Sequence, residues 1–144
     1  MNEQEVTELL AGRERPALMP QAVYRPELAP EIDSLSAPAL VKAGLHLLND
    51  DLGRAHVIAQ SLEGNSTADY WHAIIHRREG DYSNARYWFA RVGAHPTLVA
   101  VYGDTRGADR FIESCRAARG KTDPALEEKQ WQEMLSLLEF AKAR

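Results

Sequence analysis

Apolar positions recur at helical spacing over most of the chain and alternate at strand spacing nowhere. Val6, Leu9 and Leu10 form a short stripe between Asn2 and Ala11, with acids early and Gly12 as a stop. The pattern then breaks: Pro16, Pro20, Pro26, Pro30 and Pro38 fall between Arg13 and Pro38. Five prolines in that span forbid a long helix and favour extended chain. Leu18, Met19, Val23, Tyr24, Leu28, Ile32 and Leu35 are threaded among them, more apolar residues than a disordered linker carries. The segment is therefore expected to lie as a strap on a helical body, with one helical turn around Pro30 to Ser34.

From Ala37 the helical period resumes. Leu40, Val41, Ala43, Leu45, Leu47 and Leu48 predict a helix to Asn49, with Ser36 as N-cap and Pro38 in its first turn. Ala55, Ile58, Ala59 and Leu62 mark a second, from Leu52 to Leu62. A third runs from Thr67 to Glu79, capped by Ser66 or Thr67. Gly80 ends it, and Asp81 or Ser83 opens a fourth to about Val92, closed by Gly93 and Pro96. A short helix after Pro96, another from Ala108 to Arg119, and a long one from Asp123-Pro124 to near Ala143 complete the series. The last carries Trp131, Met134 or Leu135, Leu138 and Ala141 inward, with Glu127, Glu128, Lys129 and Glu133 expected in solvent. The fold class is all-α, as a single domain over residues 1–144. Its parts are an N-terminal helix and strap (1–36), two antiparallel helical hairpins (37–96) and C-terminal covering helices (97–144).

The two hairpins repeat. A shift of 30 residues sets His76 on His46, Asp81 on Asp51, Ala85 on Ala55 and Val92 on Leu62. Gly80-Asp81-Tyr82, Ala85, Phe89 and Pro96, with Ala73 on the preceding helix, resemble the turn glycine, small residues, aromatics and closing proline of tetratricopeptide repeats. The resemblance spans Ala37–Pro96 and implies stacked hairpins. Pro96 stands one residue early, and the first hairpin has Asp50 in place of the turn glycine. The wording of Tyr70–Pro96 is also similar to that of a group of small uncharacterised proteins.

Charge narrows the function classes. A net charge of −4 over 144 residues, with no long like-charge block, argues against a nucleic-acid binder with a broad basic face. Cys115 is the single cysteine, so no intramolecular disulfide forms, and a reducing cytoplasm is the expected compartment. No apolar run reaches membrane-spanning length.

Candidate chemistry gathers between Tyr70 and Pro96. Asp69, His72, His76 and Glu79 share one stripe of the third helix. A histidine pair at i, i+4 with a carboxylate one turn on is a common divalent-metal ligand set, which makes His72, His76 and Glu79 metal candidates. His46, at the equivalent place in the first hairpin, would supply a third nitrogen, with Asp50 and Asp51 close by in sequence. The zinc-protease HExxH motif is absent because position 73 is Ala. The competing reading makes these histidines buried, hydrogen-bonded core residues. Arg77 and Arg78, with Trp71 beside them, are candidates for a small anion, since guanidinium forks match carboxylate and phosphate oxygens. Local ion pairing is the alternative for both. Tyr82, Tyr87, Trp88 and Phe89 cannot all face one core, so some must meet other helices, the strap or a partner. There is no Walker loop or GxGxxG, and Cys115 reads as a buried inert thiol.

In the repeat register the inner face shows Leu40, Gly44, Leu47 and Leu48, then Tyr70, Ile74 and Arg77. That face is too apolar to stay bare. Either the strap and last helix fill it, or it receives a protein partner or a second copy as a homodimer. Three functions stay open: a protein-interaction or scaffolding module; a metal-binding protein or enzyme using His46, His72 and His76 with Asp50, Asp69 or Glu79; or a small-anion binder using Arg77, Arg78 and Trp71.

Overall fold

Helix caps are the strongest local determinants. In the computed structural model, which describes residues 1–143, nine helices and no strand occur among the described residues. They are α1 Glu3–Ala11, α2 Leu28–Asp33, α3 Ala39–Leu48, α4 Leu52–Ser61, α5 Ser66–Glu79, α6 Tyr82–Val92, α7 Pro96–Tyr102, α8 Gly107–Ala117 and α9 Pro124–Lys142. Asn2 and Glu5 make a reciprocal capping box at α1. The carboxylates of Asp51, Asp81 and Asp123 accept from backbone N–H groups at the starts of α4, α6 and α9. Asn65, one residue before the expected cap, accepts from Thr67 and Ala68 N–H and opens α5. Pro38 stands at the N-cap of α3 with no side-chain bond, where Ser36 is the sequence-based expectation. Among the described residues no helix is long and apolar enough to cross a membrane.

The turns between α3 and α4 and between α5 and α6 share one geometry. Asp51 and Asp81 N–H each donate at 2.9 Å to a carbonyl five residues back, that of His46 and of His76. The residue before each aspartate is left-handed: Asp50 at φ 58° and Gly80 at φ 82°. Gly80 occupies that region at no steric cost. Asp50 does so as a non-glycine residue, and its carboxylate is held between two guanidiniums: Oδ1 is 2.7 Å from Arg78 Nη2 and Oδ2 is 2.9 Å from Arg13 Nη1. The 30-residue periodicity is thus carried by the backbone even where the glycine is missing.

Consecutive helices pack neighbour on neighbour: α3 on α4, α4 on α5, and α5 on α6. α1 and α2 lie on α3, α8 covers α6, and α9 returns to pack on α3 and α7. The meeting of α3, α5 and α9 turns on Gly44, where a Cβ would sit 2.6 Å from the Trp71 ring and 3.0 Å from Leu138. No side chain fits there without displacing one of them. Leu47, Leu48, Tyr70 and Ile74 are fully buried. The 13–27 segment is bound edge to edge to the body. Tyr24 N–H donates to the Asn49 carbonyl, the Asn49 amide exchanges two bonds with the Arg25 backbone, and Gln130 donates to the Leu18 carbonyl.

Glu133 departs from its expected place in solvent. It is fully buried, 2.8 Å from Arg77 Nη2, and accepts from the Tyr70 hydroxyl at 2.8 Å. The apolar stripe of α9 is wide, taking in Leu137 beside Trp131, Met134, Leu138 and Ala141. Glu133 falls inside it, and the buried arginine supplies the charge that makes its burial tolerable.

Candidate functional site

Three histidines from two adjacent helices converge. His72 and His76 stand one turn apart on α5, and His56 reaches across from α4. One ring nitrogen from each lies within 4.8 Å of the others. His72 and His76 stack with ring centres 4.8 Å apart, and His56 meets His72 edge-on at 4.6 Å. Trp88 of α6 stacks on the opposite flank of His72 at 4.0 Å. The i, i+4 spacing fixes the first two rings, and Ala55 and Ala59 let α4 approach closely enough to bring the third.

The cluster is asymmetric in its hydrogen bonding. His76 Nδ1 lies 3.4 Å from the Glu79 carboxylate, and Asn84 Nδ2 lies 3.3 Å from His76 Nε2. His72 is only 3% exposed, and its Nδ1 is buried without a hydrogen-bond partner. Burial lowers the His72 pKa, and the neighbouring His76 and His56 lower it further, to about 4 from the ordinary 6.5. His72 is therefore neutral at pH 7, the form that ligates metals.

That neutrality links stability to pH. The unfolded chain takes up a proton at this imidazole below about pH 6.5, and the folded chain resists it until about pH 4. The contribution is fully present above pH 6.5 and is lost as pH falls towards 4. Between pH 7 and pH 5 the wild type is expected to lose about 1–2 kcal/mol more stability than His72→Gln. Urea unfolding of both proteins at the two pH values measures the difference. Equal losses would place His72 in a solvated, unperturbed environment.

The remaining candidates lie elsewhere. His46 is fully buried and away from the cluster, with Nε2 2.8 Å from Asp33 Oδ1; His56 takes the position proposed for it. Trp71 is a core residue whose indole N–H donates to the Leu40 carbonyl at 3.1 Å. Arg77 is buried against Glu133 and the Gln130 side-chain oxygen. Burial works to lower its pKa, and the Glu133 carboxylate outweighs burial, so the guanidinium is held charged. Arg78 pairs with Asp50 and donates to the Leu47 carbonyl, while burial pulls its pKa down. Their anions come from distant stretches of sequence, not from Asp69, Glu79, Asp81 or Asp104. The forks of both arginines are thus largely engaged within the chain. His56 is the residue that sequence reasoning missed. Its signal was its place beside Ala55 and one turn before Ala59, on the flank of the buried stripe of α4.

A cleft of about 600 Å³ opens where the 17–21 segment, the end of α5 and the 118–122 turn meet. No family model matches the chain, and no curated protein or solved structure matches it.

Proposed function

We propose that the protein is a helical metal-binding protein in which His56, His72 and His76 hold a borderline divalent ion, zinc first. The convergence of the three imidazoles carries this proposal. Three histidines are a familiar zinc ligand set that leaves a fourth position open. Tetrahedral zinc with bonds near 2.0–2.1 Å needs nitrogens about 3.4 Å apart. The rings must therefore close inward from their present spread of up to 4.8 Å, a side-chain rotation rather than a backbone shift. Glu79 and Asn84, both beside His76, are placed to orient its ring. An ion held this way would polarise a bound water or carbonyl at its open position.

Titration of metal-free protein with Co(II) tests the site. The expected result is one equivalent bound with the visible absorption of a four-coordinate nitrogen site, absent in His56→Ala and in His72→Ala. Zinc at a hundred times its dissociation constant is expected to stabilise the fold by about 2.7 kcal/mol, raising the melting temperature by roughly 10 °C. Binding that survives either substitution, or no thermal shift with zinc, would sink the proposal.

A scaffolding or interaction role is the second reading. Val57 follows His56 and is 68% exposed, and Tyr87 precedes Trp88 and is 54% exposed, so two large apolar side chains border the cluster in sequence. We read α3–α6 as two tetratricopeptide-like hairpins, an assignment supported by their sequential packing, the shared turn geometry and the burial of Ala73, Ala85 and Phe89. A groove-binding role is disfavoured, because α9 packs on α3 and its Glu133 and Gln130 bond Tyr70 and Arg77.

A further inference from the structure

We infer that the cleft of about 600 Å³ between the 17–21 segment, α5 and the 118–122 turn is a binding site for a small amphipathic carboxylate. Its volume is that of a small-ligand site. Its wall has an apolar part, made by Leu18, Met19, Leu52, Tyr82 and Ala118, and a cationic part, made by Arg119 and Lys121. A ligand with an apolar body and one anionic end matches both.

The charge balance favours an anion. Arg77 and Arg78 also line the cleft, but Glu133 and Asp50 neutralise them. Glu79 is the carboxylate in the lining, and it sits 3.4 Å from His76. Arg119 donates to the Gly80 carbonyl, and among the described residues neither it nor Lys121 forms an ion pair with a carboxylate. Arg78 is 1% exposed, and its Nε has no hydrogen-bond acceptor. An excess of cationic charge in a concave, partly apolar site of an acidic protein concentrates the field there. Gly80 keeps the wall open. A Cβ at that position would lie 2.7 Å from Met19 and 3.0 Å from Arg119, displacing the two side chains that offer the apolar and the cationic contact. The ligand body would rest on the Tyr82 ring, which Arg116 and Arg119 already flank at 5.6 Å.

Titration of the full chain with octanoate, 1-octanol and octylammonium, followed residue by residue by amide NMR, tests this inference. Octanoate is expected to bind saturably, with shifts concentrated at residues 17–21 and 118–122, and more tightly than either probe lacking the negative charge. The double variant Arg119→Gln, Lys121→Gln removes two exposed side chains and leaves the fold intact. It is expected to weaken octanoate binding about tenfold, as loss of a charge-assisted contact does. Octanol binding as tightly as octanoate would reduce the cleft to an apolar crevice and overturn the inference. So would an unchanged affinity in the double variant, shifts centred elsewhere, or no saturation at millimolar octanoate.

Discussion

Glu133→Ala is expected to destabilise the protein by about 3–5 kcal/mol, the cost of leaving a buried charge without its partner. Both side chains of the Arg77–Glu133 pair are fully buried, at 2.8 Å. Removing the carboxylate strands the guanidinium, and Gln130 offers it only a neutral oxygen. It also strands the Tyr70 hydroxyl, whose proton burial and Glu133 together hold in place. Native domains are stable by only about 5–15 kcal/mol, so such a loss is a large part of the total. Replacing the pair together, as Arg77→Met with Glu133→Leu, is expected to recover most of it, because apolar residues of similar volume escape the desolvation cost. Denaturant unfolding monitored by circular dichroism reads both variants. An unchanged midpoint for Glu133→Ala would mean that the pair is open to water in solution.

Asp50→Ala is expected to cost at least as much, and for two separable reasons. Its carboxylate answers two guanidiniums, of Arg13 and Arg78, all three side chains being largely buried. Losing it leaves two buried cations and unfastens the 13–27 segment from the turn after α3. Its backbone is also left-handed, at φ 58°, which alanine disfavours. Asp50→Gly separates the two effects. Glycine relieves the backbone by about 1–2 kcal/mol yet still lacks the anion, so it is expected to remain about 3 kcal/mol below the wild type. If Asp50→Gly matched the wild type, the ion pairs would contribute nothing and the residue would be a turn-former alone. Asp50→Asn keeps the short polar side chain that tolerates this conformation, and its loss would report the charge by itself.

These two residues also show what the sequence could and could not reveal. Short-range physics was legible. Gly80, the Asp123-Pro124 start of α9 and the aspartates before α4 and α6 act within a few residues of themselves, and each helix lies close to its hydrophobic period. The 30-residue repeat was legible too, because turn geometry repeats with it. Long-range partnership was not. Arg77 and Arg78 read as a basic cluster in search of a ligand, since nothing local distinguishes an arginine aimed at solvent from one that meets a carboxylate 56 or 28 residues away. Glu133 read as solvent-facing because a carboxylate on an amphipathic helix usually is. His56 was passed over and His46 preferred because repeat symmetry aligns His46 with His76. Packing obeys proximity instead: α4 lies against α5, and it is α4 that delivers the third imidazole.

The position of α9 bears on how the chain acquires its structure. α9 follows, in the order of synthesis, every element that it fastens. It supplies Glu133 to Arg77, Gln130 to the Leu18 carbonyl and Lys142 to the Thr7 hydroxyl, contacts separated by 56, 112 and 135 residues. Until it emerges, the growing chain holds an uncompensated guanidinium and an uncovered seam beside Gly44 and Trp71. Helical hairpins assemble from local contacts and form early, whereas closure of such distant contacts is slow. A nascent chain lacking α9 would therefore expose apolar surface to chaperones and proteases, and its arrival would convert preformed hairpins into a closed body in one late step.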